Sequence, residues 1–170
     1  MDLITFLVLI ISVLGALLIV KNNDSDKKTV ENNSTEQKAG TKDINASARN
    51  GERQVDIKAI YSALENYYSG VGNYPSIADL NSATWRAANN MKGLDIEALR
   101  DPSQPSGSLL AGGSSAPTAV GPYIYNVEPI NCVSPTTSTG NFASGIFCNK
   151  YTLYTYQEND AGVFSRTSLN

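Results

Sequence analysis

Residues 48 to 70 read ARNGERQVDIKAIYSALENYYSG, and within them Ile57, Ile60, Tyr61, Leu64, Tyr67 and Tyr68 fall at offsets of 0, 3, 4, 7, 10 and 11. That spacing repeats every 3.6 residues, so the six side chains make one apolar stripe along a helix and are the expected helix side of a helix–sheet core. Glu52, Arg53, Asp56, Lys58 and Glu65 are expected mostly to face water. The helix should stop at Ser69-Gly70, because the run GVGNYP supplies glycines for a turn and Pro75 cannot continue a helix. Its start is open: Gly51 weakens the first turns, and Asn45, Ser47 and Asn50 can each serve as the capping residue.

On the N-terminal side, Leu3 to Val20 reads LITFLVLIISVLGALLIV, with no charged residue. At a rise of about 1.5 Å per residue the run makes about 27 Å of helix, near the thickness of a bilayer's hydrocarbon core. A cleaved signal would carry a basic N-terminal region, a shorter apolar run and a small-residue cleavage site. This chain has Asp2 before the run and Ile19-Val20-Lys21 after it, so a retained transmembrane helix over residues 1–20 is the expectation. Residues 21–47 then turn polar and mixed in charge, with Val30 and Ile44 the only sizeable apolar side chains, and read as a flexible tether.

Residues 48–170 remain for one modest globular domain. Ser76-Ile77-Ala78-Asp79 has the spacing of a helix start and predicts a turn of helix over Ile77 to Leu80. Thr84 to Met91 and Asp95 to Arg100 predict two further short helices, and Ser103 to Pro122, dominated by Ser, Gly, Pro and Ala, predicts a long surface loop. Tyr123 to Val127, Tyr151 to Gln157 and Val163 to Leu169 are strand-like. Three antiparallel strands packed on the Ile57 to Tyr68 helix give an α+β fold.

Composition removes several chemistries. The 170-residue chain has no histidine, which excludes His-dependent nucleophile systems, His-ligated zinc and His proton shuttles built from this chain alone. A net charge of −3 offers no basic stripe for phosphates, and no nucleic-acid partner is expected. Asp95, Glu97 and Asp101 read as solvated acids. Glu158 and Asp160 read as turn residues, two acids being too few for a calcium site. The Gly112-Gly113 run lacks the lysine of a phosphate loop, and no serine–lysine spacing stands out for a nucleophilic dyad. No enzyme activity, cofactor or metal is expected.

Cys132 and Cys148 have no CxxC spacing and look like a disulfide rather than a metal or redox site. Closing a loop of that size stabilises by about 3 kcal/mol. The bridge needs an oxidising compartment. That outweighs the pull of Lys21, Lys27 and Lys28 toward the cytoplasm and places the 48–170 domain outside the cytoplasmic membrane. Tyr123, Tyr125, Tyr154 and Tyr156 are candidate surface contacts for a protein or glycan wherever their strands turn them outward.

The order of an apolar helix, RQVDIKAIYSALENYYSGVGNYP, short helices ending GLDIEALRDP, YIYNV, a cysteine pair and a closing YTLYTYQENDAGVFSRTSLN resembles type IV pilins and the pseudopilins of type II secretion, over about residues 48–170. The resemblance implies a long helix whose second half packs on an antiparallel sheet with a C-terminal disulfide loop. It also implies a bacterial, single-pass, structural subunit of an extracellular or periplasmic filament, whose partners are the lipid bilayer and other pilin or pseudopilin subunits. The N-terminus departs from the family pattern: no basic leader, no glycine at a prepilin cut and no glutamate in the apolar run are recognisable. The alternative is a permanently tethered binding module with a pilin-like head that does not polymerise.

Overall fold

The computed structural model describes residues 34–136, 144–159 and 162–170, with side chains from Ile44 onward. The expected membrane span at 1–20, and the tether as far as residue 33, lie outside the described residues. Among the described residues no helix is long and apolar enough to cross a membrane.

Helix α1 runs from Ser34 to Val71, 38 residues. It begins well inside the stretch that composition assigned to a flexible tether, so residues 34–47 are helical. At the other end the helix passes Ser69-Gly70 by a residue or two. Gly72 takes φ +81°, and its N–H donates to the Tyr68 carbonyl at 2.7 Å. A left-handed residue just past the last turn closes the helix while satisfying an orphan carbonyl, and glycine adopts it without the Cβ clash.

The chain then makes α2 (Ile77–Asn81) and α3 (Ala83–Ala88). Both have side-chain caps: Ser76 Oγ accepts from the Asp79 N–H at 3.3 Å and Ser82 Oγ from the Trp85 N–H at 3.2 Å. The third expected short helix is a single 3-10 turn, Glu97–Leu99. From there β1 (Ala111–Gly112), β2 (Ile124–Glu128), β3 (Lys150–Gln157) and β4 (Gly162–Thr167) follow.

The four strands form one sheet in the order β1-β2-β3-β4. The β2–β3 and β3–β4 pairs are antiparallel as expected, but β1 adds in parallel beside β2, so the sheet is mixed. β1 lies inside the stretch read as loop. Neither of its residues favours a strand, and what holds it is backbone pairing to β2, including the Ala111 N–H to the Tyr123 carbonyl at 2.9 Å.

Between α1 and the sheet lies the core. Ile57, Ile60, Leu64 and Tyr67 are buried, and Tyr61 and Tyr68 pack at its margin, as the stripe predicts. The sheet contributes Tyr125, Tyr151 and Leu153, and Trp85 from α3 closes one end with its ring 5.2 Å from that of Tyr67. Each fully buried aliphatic side chain contributes about 1.5–3 kcal/mol, so this one surface dominates the fold's stability. Cys132 and Cys148 are disulfide-bonded, with Cα atoms 5.0 Å apart. The Cys148 carbonyl also accepts the Tyr74 N–H at 2.8 Å, tying the C-terminal loop to the exit of α1.

Candidate functional site

Strand register decides which tyrosines reach the surface. Tyr125 pairs with Leu153, so both point toward α1, while Tyr154 pairs with Ile124 on the solvent face. Tyr123 and Tyr125 are therefore buried, which corrects their assignment as surface contacts. The Tyr123 hydroxyl donates to Asp56 at 2.7 Å and the Tyr125 hydroxyl to the Pro75 carbonyl at 2.9 Å. Tyr154 and Tyr156 alternate with buried neighbours and stand half-exposed on the outer face. Of the four candidates these two form an accessible pair.

Burial raises the Asp56 carboxyl to about 6, against the lowering effect of the Tyr123 hydrogen bond, with Glu52 and other acids pushing the same way as burial. Burial likewise raises Tyr74, to about 12. Its hydroxyl and that of Tyr151 both donate to Glu65, the latter at 2.7 Å. Asp56 and Glu65 thus serve as buried-edge acceptors for tyrosines rather than simply facing water.

A second correction concerns Arg53, which is fully buried. Its Nε and Nη2 donate to the two oxygens of Asp101 at 2.7 and 2.9 Å, and Nη1 donates to Asn50 Oδ1 at 2.8 Å. Asp101, expected to be solvated, is buried as well and also accepts from the Ser103 amide at 2.9 Å. Burial alone would raise its carboxyl, but Arg53 and Ser103 bring it below the ordinary carboxylate value. Glu158, on the β3–β4 turn, pairs with Arg49 and with Arg53 Nη2 at 2.9 Å. Chiefly the Arg49 hydrogen bond lowers it, to about 2. Asn50 grips the same residue's backbone, donating to its carbonyl at 3.1 Å and accepting its N–H at 2.8 Å.

This occupied carboxylate explains why the turn is a structural joint. Asp160 lies outside the described residues, and among those described no group of three or more acids or cysteines could hold a metal ion. Periodicity contained a signal for Arg53 that its charge concealed: it stands four residues before Ile57 and seven before Ile60, on the buried face.

The opposite face of α1 carries a feature that the apolar stripe does not include. Ile44, Ala48, Gly51, Val55, Ala59 and Ser62 lie in one uncharged strip and are all exposed, Ile44 at 70% and Val55 at 63%. Exposed side chains this apolar, in line on a long helix, are suited to packing against another helix. Among the described residues the arrangement offers three surfaces: a helix strip, an outer sheet face with Tyr154 and Tyr156, and the segment around the Cys132–Cys148 bridge. No family model, curated protein or solved structure matches the chain.

Proposed function

We propose that the protein is a membrane-anchored, pilin-like structural subunit, minor or atypical, of a type IV pilus or type II secretion filament, with its C-terminal head outside the cytoplasmic membrane. The observation that carries this reading is the two-faced helix α1. One face builds the head's core through Ile57, Ile60 and Leu64, and the other leaves the uncharged strip from Ile44 to Ser62 open. The apolar run Leu3 to Val20 holds the subunit in the bilayer before incorporation, and the strip then packs in a bundle with other subunits' helices. The outer-face pair Tyr154 and Tyr156 is left for a surface protein or glycan.

Filaments sheared from the bacterial host test this directly. The protein is expected in the sheared fraction with a shortened N-terminus by mass determination. Val55→Arg, at a position 63% exposed on the face away from the core, is expected to remove it from that fraction at least about tenfold while leaving the head folded, because a buried unpaired charge at a helix contact costs several kcal/mol. Protein with an intact Met1, confined to the membrane fraction and indifferent to Val55→Arg, establishes the permanently tethered binding module instead.

A further inference from the structure

Strand β4 lies at the end of the sheet order, so one of its edges is unpaired among the described residues. The Ser168 N–H donates to the Tyr151 carbonyl at 3.0 Å, which fixes the phase of the β3–β4 ladder. Arg166 and Phe164 turn their backbone groups inward to Leu153 and Thr155, while Val163, Ser165 and Thr167 turn theirs to the free edge. Side chains of the latter three are exposed.

We propose that this edge pairs with the β4 edge of a second copy of the chain, antiparallel and centred on Ser165. The register is self-complementary. Ser165 faces its own counterpart, and Val163 faces Thr167 of the other copy, so every outward N–H and carbonyl of the three residues meets a partner in a hydrogen-bonding position. On the α1 side of the sheet, Phe164 of each copy stands opposite Arg166 of the other, in the closer non-hydrogen-bonded spacing. Within one chain the Arg166 guanidinium already lies 5.5 Å from the Phe164 ring centre, so the second copy repeats a cation–π contact the sequence favours. The two arginines are offset along the strands and do not oppose each other. Any register shifted by one residue would point inward-bonded groups at outward ones and lose the ladder. A contact confined to one edge strand is small, which makes the dimer concentration-dependent.

The two-fold axis of such a pair is normal to the sheet, so both α1 helices lie on the same side and run in opposite directions. The contact itself does not depend on the filament reading. Under that reading it joins subunits that face opposite ways, from two filaments or two cells, rather than neighbours in one.

Full-length protein in detergent micelles tests the pairing. Ser165→Cys is expected to oxidise to a covalent dimer about tenfold faster than Lys92→Cys, a surface control, because the register holds the two sulfurs together. Val163→Cys and Thr167→Cys proteins are expected to cross-link when mixed and not when alone. Light scattering is expected to show wild-type mass doubling with concentration and Ser165→Pro remaining monomeric with an unchanged circular-dichroism spectrum, since the Ser165 N–H makes no bond among the described residues. Monomeric wild-type protein at every concentration, Ser165→Cys cross-linking no faster than the control, or cross-linking of Val163→Cys alone overturns the proposal. An edge that takes an extended segment of a different protein gives the first of these results.

Discussion

Asp56 is held at the boundary between core and solvent, with Tyr123 donating to it and neighbouring acids opposing its ionisation. Its folded value of about 6 lies above that of an unfolded aspartate. The protonated form therefore binds better in the folded state: the stabilisation is complete below about pH 4 and is lost as pH rises through 6. Glu158 has the opposite sign. Its folded value of about 2 means a contribution complete above about pH 4.5 and lost as pH falls toward 2. Asp56→Asn should preserve an acceptor for Tyr123 and raise stability above pH 7 by about 1–2 kcal/mol after allowance for solvent screening, with no gain at pH 4. Urea unfolding at the two pH values measures the difference. Little of this was legible beforehand. That Tyr123 and Tyr125 face inward while Tyr154 and Tyr156 face outward follows from register, and four tyrosines in two strand-like runs do not say which phase each strand adopts.

At the scale of the element, α1 was the most readable part of the molecule, because six apolar residues at helical spacing admit one face and one partner surface. Capping by Ser76 and Ser82 follows from side chains short enough to reach their own helix's first amides, so α2 and α3 were legible in outline too. The N-terminal extent of α1 was not, since residues 34–47 carry no stripe and composition alone reads as tether. β1 was illegible for a different reason: a two-residue strand held by another strand's backbone leaves no trace in its own side chains. Gly51 sits mid-helix, exposed, with nothing within 4 Å of where a Cβ would stand. Gly51→Ala should accordingly stabilise the protein by about 0.5–1 kcal/mol, seen as a higher midpoint in thermal or urea unfolding. A gain in stability accompanied by loss from sheared filaments would place this glycine in a close helix–helix contact.

For the whole molecule, Arg53 is the polar joint: one guanidinium joins the middle of α1 to Asp101 and to Glu158 on the last hairpin. Arg53→Ala leaves the buried Asp101 carboxylate without its partner and should cost about 3–5 kcal/mol, a large part of what a domain of this size has. Arg53→Met combined with Asp101→Leu should recover most of that loss, since replacing both charges removes the unpaired ion; equilibrium unfolding of the single and double variants reads the difference. The α+β class and the disulfide were legible from strand-like runs and cysteine spacing. This polar joint was concealed by the rule that charged residues face water, which holds until a bidentate partner arrives from a distant segment.

The order in which the joint is completed has a consequence of its own. A ribosome delivers Arg53 first and the two acids 48 and 105 positions later. Until both acids have reached it, a cation meant for the interior keeps its water shell. Two acids far apart in the chain must therefore reach one guanidinium before the head can close over its own charge, which ties distant segments into a single cooperative unit.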